Sequence, residues 1–192
     1  MAGRSETLPA VPDLEGYFVL DAHMHVEGEL PYLLVSGLPV VNEEDLIRDM
    51  NAYKITMAGV MGNPTACAIS MEAQAKGNDQ IAKCAKVYPE RAFGIGMINV
   101  RGEKESLREA ARCLGKLGMK AIKVWPWADV PINSQAVMDL AKVCEEHGAA
   151  LTVHTDNMDP RAHPCLLGEV AKEFPEIHTT REWHTKQLLT TP

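Results

Sequence analysis

The sequence predicts an α/β fold in which strands and helices alternate, as in a (β/α)8 barrel of the TIM type. Three observations support this prediction. Short apolar segments recur along the chain, amphipathic segments of helical length follow them, and Gly or Pro residues lie at many of the boundaries between the two kinds of segment. An open, doubly wound sheet shows the same alternation, but it would carry a Gly-rich turn after the first strand. That position reads His23-Met24-His25. The barrel is therefore favoured, with about five to six strand–helix units present.

Five apolar segments are predicted as strands, and a sixth strand is expected to begin at Ile177. The five are residues 17–22, 55–61, 92–100, 119–125 and 149–155.

Amphipathic segments between these strands are predicted as helices. Asn42 and the acidic residues after it are typical of a helix start, because they satisfy and neutralise the exposed amide end. Glycine or proline ends most of the later helices. The predicted helices are 42–54, 71–88, 103–116, 132–147 and 165–174.

The length of 192 residues suits one domain, predicted over residues 17–178, with an N-terminal extension at 1–16 and a divergent tail at 179–192. The net charge is −7 and the basic residues are dispersed, which argues against nucleic acid as a partner. No signal peptide and no apolar run of about 18 residues is present, so a cytoplasmic protein without a membrane span is expected. The five cysteines form no CxxC pair and are expected to be reduced, buried residues.

Histidines mark the ends of two predicted strands. Side chains alternate along a strand, so Asp21, His23 and His25 are expected to share one face, and His154 ends the fifth strand in the same way. In a closed barrel these strand ends meet at the mouth where active sites are built. A structural role, as a capping or core histidine, is the alternative for His154. His147 and His163 are expected to be a surface residue and a loop residue.

Several segments in a fixed order resemble one known family. VLDAHMHV, YPERAFGIGMINV, LGMKAIKVWPW, HGAALTVHTD and VAKEFPEI look like successive strand segments of the amidohydrolase superfamily. Within it they are most similar to the amidohydrolase-related metal-dependent hydrolases, which include relatives of aminocarboxymuconate-semialdehyde decarboxylase. The resemblance covers residues from about 17 to 177.

This resemblance implies a divalent metal at the barrel mouth, most often zinc. His23, His25 and His154 would be its ligands, and three protein ligands leave a position for water. Activated water would then attack an amide, ester or lactone carbon of a small-molecule substrate. Decarboxylation in the same family is the alternative activity.

Three further residues are candidates for the site. Some members of the superfamily use a carboxylated lysine on the fourth strand to bridge two metals, and Lys123 lies near the end of that strand. A buried or ion-paired structural lysine is the other interpretation. Trp125 and Trp127 would either line a substrate pocket or pack beneath the following loop.

The C-terminal part departs from the family pattern. A complete barrel has eight strands and about 250 residues, and the family's eighth strand supplies a catalytic aspartate. After Ile177 the sequence reads HTTREWHTKQLLTTP, which lacks the expected Gly-His-x-Gly motif, and His184 is not counted as a ligand. A truncated chain is therefore expected. Its open sheet edges would favour pairing with another copy, and a non-catalytic protein that still binds metal is the third functional hypothesis.

Overall fold

The computed structural model describes residues 16–26, 42–62, 70–125 and 130–183, and its strands form one parallel sheet. Sheet order follows chain order from β1 to β6. The strands are β1 (Leu20–His25), β2 (Met57–Met61), β3 (Ala92–Ile98), β4 (Ala121–Val124), β5 (Ala150–Thr155) and β6 (Thr179–Trp183). The predicted fold, an incomplete (β/α)8 barrel, is confirmed.

Helices connect the strands at the positions that the sequence predicted. They are α1 (Glu43–Ala52), α2 (Met71–Val87), α3 (Lys104–Ala111), α4 (Gln135–Glu146) and α5 (Pro164–Glu173). The predicted cap is present, since Asn42 and Asp45 exchange side-chain and backbone hydrogen bonds at the start of α1. A π-helical turn, Arg112–Lys116, continues α3. No helix among the described segments combines the length and apolar character needed to cross a bilayer.

The two faces of the sheet bury different sets of side chains. The outer face packs against the helices and forms the larger core, which includes Ala58, Val60, Ile122 and Val153. A smaller cluster covers the inner face, where a barrel has its interior: Met61, Ile95, Met97 and Ala121. Because side chains alternate along each strand, membership in these clusters shows which face each neighbouring residue occupies.

Strand β1 differs from its prediction in position and in register. It spans Leu20–His25 instead of residues 17–22, so the histidine pair lies within the strand. Asp21 pairs with Ala58 and Met24 with Val60. Two residues of β1 therefore lie between these pairs where β2 has only one, so β1 carries one extra residue. This bulge interrupts the alternation. The register places Asp21 with the outward-facing Ala58, so the prediction that Asp21 shares the face of both histidines is wrong.

Strand β6 begins two residues later than expected. It occupies Thr179–Trp183, within the segment assigned from the sequence to a divergent tail, and pairs with β5 from Leu151↔Thr179 to Thr155↔Trp183. Backbone hydrogen bonds to an existing strand allow a polar segment to extend a sheet, because pairing needs no apolar side chains. The sequence argument weighed only side-chain character: it expected a sixth strand to begin at Ile177 but judged that the polar residues after it would not continue the strand.

Candidate metal centre

His23 and His25 lie together at the carboxyl end of β1. Their Nε2 atoms are 2.9 Å apart, and the ring centroids are 4.9 Å apart with the planes at 65°. His25 pairs in register with Met61, a residue of the inner-face cluster. The sequence-predicted pair thus converges at the strand end that faces the barrel interior.

The backbone of β2 fixes one of these rings. The Nδ1 atom of His25 lies 2.9 Å from the carbonyl oxygen of Gly62, directly after β2. Only an N–H can bond to a carbonyl oxygen, so Nδ1 of His25 donates to Gly62. Its Nε2 lone pair then accepts the 2.9 Å hydrogen bond from Nε2–H of His23 in the metal-free chain. Metal-ligating histidines usually have such an outer hydrogen bond, because it sets the tautomer and the ring direction.

The donor geometry of the pair fits a divalent metal ion. Two imidazole nitrogens bound at about 2.0–2.1 Å with an angle of about 90–110° between them would be about 2.9–3.4 Å apart. The observed Nε2–Nε2 distance of 2.9 Å lies at the short end of this range. Neutral imidazole nitrogen is also a common ligand for zinc and for other transition metals.

His154 reaches the same inner face from β5. It is 6% exposed and lies two residues after Thr152, which pairs in register with Lys123. Lys123 in turn pairs with Met97 of the inner-face cluster. The ring of His154 stacks on that of Trp125, with centroids 3.9 Å apart and planes at 6°.

The separation of the strands limits what the structure brings together. β1 and β5 are four strand steps apart, which would be about 19 Å in a flat sheet, so only curling of the sheet brings their ends closer. Within residues 16–26, 42–62, 70–125 and 130–183, no three His, Cys, Asp or Glu side chains form a group that could hold a metal ion. The role of His154 as the third ligand stays a prediction.

Lys123 is the most deeply buried charged residue near these strand ends. It is 1% exposed on the inner face of β4, and burial lowers the pKa of its amine to about 7. A neutral amine is therefore well populated at neutral pH. Trp127 lies outside the described residues.

The remaining predicted loop and surface histidines have structural contacts. His147 ends α4, and its Nδ1 lies 2.9 Å from the carbonyl oxygen of Val143. His163 caps α5, where its Nδ1 accepts a hydrogen bond from the amide of Cys165. Cys165 is exposed, so the prediction that the cysteines are buried is wrong for this residue, although it is confirmed for Cys84, Cys113 and Cys144.

Two features of the site were not found from the sequence. The Gly62 carbonyl gives no sequence signal, because any residue supplies a backbone oxygen. The stacking of Trp125 on His154 depends on the register between β4 and β5. The contact could have been suggested by one sequence signal: two consecutive predicted strands have aromatic rings, Trp125 and His154, at their carboxyl ends.

Comparisons with known proteins identify relatives of the same kind as the resemblance. No protein-family model matches the sequence. A stretch of 102 residues, 50% of this chain, is 26% identical to 2-amino-3-carboxymuconate-6-semialdehyde decarboxylase from Dictyostelium discoideum. The chain spans only 28% of that relative's length.

Solved structures match the fold over most of the chain. An amidohydrolase from Staphylococcus aureus superposes with a TM-score of 0.72 and 15% identity, covering 86% of this chain and 67% of that protein. A second match is a 5-carboxyvanillate decarboxylase mutant from Novosphingobium aromaticivorans with bound manganese and 3-methoxy-4-hydroxy-5-nitrobenzoic acid. Its TM-score is 0.68 and its sequence identity 15%, and the match covers 86% of this chain and 66% of that protein. At these identities the structural likeness establishes the fold alone.

Proposed function

We propose that this chain belongs to the amidohydrolase superfamily, holds a divalent metal at its barrel mouth and is part of a decarboxylase that acts on small carboxylic acids. The observation that carries the proposal is the convergence of the His23 and His25 Nε2 atoms, 2.9 Å apart, with His25 held by the Gly62 carbonyl. The chain covers about two thirds of its solved relatives. The activity of a whole enzyme is therefore part of the proposal.

The protein side chains have distinct parts in this proposal. His23, His25 and His154 hold the ion, which when bound supplies a Lewis acid for the substrate's oxygen atoms. The family resemblance implied zinc, whereas the 5-carboxyvanillate decarboxylase structure contains manganese. Histidine with open positions suits either ion, so the metal is proposed only as divalent. The buried inner face of β3 to β5 would exclude water from the bound substrate.

A metal-bridging role of Lys123 is a separate candidate, because bridging would need a second ion besides the one proposed here. An amine adds carbon dioxide only in its uncharged form, and the lowered pKa, about 7, makes that form available at neutral pH. The amine nitrogen would bond to the carbon of carbon dioxide and release one proton, so the product would be a carbamate on the inner face of β4. Mass spectrometry of the intact chain in bicarbonate buffer tests this, because a labile mass increase of one carbon dioxide should vanish in Lys123→Met.

Decarboxylation is preferred to the hydrolysis that the resemblance first suggested. Two of the similar proteins described above are decarboxylases, including the curated relative. In this reaction the bond to the carboxyl carbon breaks, carbon dioxide leaves, and the electron pair left on the substrate carbon takes a proton. Hydrolysis stays a second candidate, because the amidohydrolase has the higher TM-score of the two structures described above.

A metal-binding measurement tests the foundation of this proposal. The full chain, freed of metal with chelator and then exposed to Mn²⁺ or Zn²⁺, should retain close to one ion per chain after desalting. The double variant His23→Ala/His25→Ala should retain none. His147→Ala is the matched control, because that exposed histidine lies at the end of α4 and its described side-chain hydrogen bond is to Val143 of the same helix. Equal metal content in the parent and the double variant would refute the site.

Product analysis then separates the activities. The loaded chain should release carbon dioxide from 5-carboxyvanillate or from 2-amino-3-carboxymuconate-6-semialdehyde, the substrates named for the similar enzymes. Formation of a carboxylate together with an amine or alcohol from an amide or ester would favour hydrolysis instead. Metal binding without turnover of either kind would support the non-catalytic hypothesis for this chain.

A further inference from the structure

Trp125 and His154 form a stacked pair at the carboxyl ends of two neighbouring strands. The ring centroids are 3.9 Å apart and the planes differ by 6°. Val124 pairs in register with Val153, so Trp125 and His154 are the next residues along β4 and β5. The contact thus follows directly from the sheet register.

The stack fixes the plane of the His154 ring. A metal binds an imidazole nitrogen in the plane of the ring, along its lone pair, so the ring orientation decides where a bound ion lies. A partial turn of the ring about its Cβ–Cγ bond would break the near-parallel contact with the indole, and only a half-turn would keep it. His154 is only 6% exposed, and this confinement further limits alternative orientations.

We propose that Trp125 is a positioning residue that orients His154 toward the metal. This inference rests on the proposed function, since it assumes that His154 is a ligand. Outer residues that orient a metal-binding histidine are usually hydrogen-bonded carboxylates or carbonyls, and their loss lowers metal affinity by about 10- to 100-fold. At His154 the indole ring of Trp125 would orient the imidazole by stacking against its flat face.

Metal affinity of two variants tests the proposal. Trp125→Leu removes the flat surface, and its dissociation constant for Mn²⁺, measured by competition with a chelating dye, should rise at least about tenfold. Trp125→Phe keeps a flat ring and should stay within about threefold of the parent. Tyr53→Leu is the control for loss of an aromatic residue, because Tyr53 is half exposed after α1.

A spectroscopic test does not depend on Trp125→Leu folding. The chain has three tryptophans, so Trp127→Phe/Trp183→Phe leaves Trp125 as the only one. Paramagnetic Co²⁺ bound to His154 should quench most of its fluorescence with a saturable, one-to-one titration. Zn²⁺, which is closed-shell, should compete with this quenching. His154→Ala should abolish it.

The outcomes separate this inference from the proposed function. A parent chain that binds no metal contradicts both. A parent that binds metal, with an unchanged affinity in folded Trp125→Leu, overturns the positioning role alone. Bound Co²⁺ that leaves Trp125 fluorescence unaltered also overturns it, because the ion then lies away from His154.

Discussion

The Nδ1 atom of His25 lies 2.9 Å from the carbonyl oxygen of Gly62, and this contact joins β1 to the residue after β2. It assigns a tautomer to His25 before any metal arrives. A ligand whose lone pair already points to the site has less orientational freedom to lose on binding.

The first prediction concerns this tautomer. In the metal-free chain at about pH 9, where an ordinary imidazole is neutral, His25 should carry its proton on Nδ1, because that nitrogen donates to Gly62. Long-range proton–nitrogen correlation spectra of histidine-labelled protein measure this directly.

Two other histidines serve as internal references for those spectra. His147 should show the same tautomer, since its Nδ1 contacts the Val143 carbonyl oxygen. His163 should show the opposite one, because its Nδ1 accepts from the Cys165 amide. A proton on Nε2 of His25 would contradict the assignment and with it the preorganised ligand.

The second prediction concerns Lys123 and pH. Burial lowers the pKa of this amine to about 7 from 10.5, so the unfolded chain binds more protons than the folded chain between these values. Stability therefore rises with pH across that interval. Below about pH 7 both states hold the proton and the cost of burying it is fully present. Lys123→Met should then be more stable than the parent by on the order of 3 to 5 kcal/mol.

Urea unfolding of the parent and the variant from about pH 6 to about pH 8.5 measures the effect, and the difference between them should shrink as the pH rises. The difference in stability between parent and variant is the useful quantity. Buried thiols make stability fall as the pH rises, and they do so equally in both chains. Burial raises the pKa of Cys84 to about 11 and that of Cys144 to about 12. Lys120→Met is the matched control, since Lys120 is exposed just before β4. A difference that does not change with pH would be inconsistent with a buried titrating amine.

The third prediction concerns thiol reactivity. Cys165 is exposed, whereas Cys84, Cys113 and Cys144 are buried, and burial raises the pKa of each of those three thiols. Because the thiolate is the reactive form, Cys165 should react with a disulfide reagent at least about a hundredfold faster than the buried three.

A Cys67→Ser background suits the thiol experiment, because Cys67 lies outside the described residues. Absorbance of the released thiolate should show one fast equivalent, and Cys165→Ser should remove it. A fast phase that survives Cys165→Ser would mean that Cys84, Cys113 or Cys144 is accessible.

Features set by residues close in sequence were predictable, whereas those set by contacts between distant residues were not. Apolar runs and Asn42 identified the strands and the first helix start, because periodicity and capping are local properties. The His23–His25 pair was found for the same reason. His25 and Gly62, however, are 37 positions apart, and nothing in either segment indicates their contact.

The bulge in β1 shows the same limit. A strict period of two predicted that Asp21 would face the same way as His23 and His25, but one extra residue between Asp21 and Met24 alters the register against β2. A bulge is specified by the pairing of two strands. The sequence of β1 alone could not reveal it.

The last prediction concerns a buried polar contact that fixes β3 to the helical layer. The side chain of Asn78 on α2 donates to the Met97 carbonyl oxygen and to Glu109 Oε1, and it accepts from the Met97 amide. Burial would raise the pKa of Glu109, but hydrogen bonds from Arg112 and Asn78 lower it below the ordinary value. The carboxylate is therefore ionised and depends on these donors.

Asn78→Leu should lower the free energy of unfolding by about 2–4 kcal/mol, because it deprives two backbone groups and a buried carboxylate of a partner. Asn51→Leu is a matched control. Asn51 is exposed and its Oδ1 accepts a bond from Arg91 Nη2, so its loss should cost less than about 1 kcal/mol. Urea unfolding followed by circular dichroism measures both. Equal costs for the two substitutions would show that the Asn78 contact adds no more than a surface hydrogen bond, and that apolar packing alone holds β3 against α2.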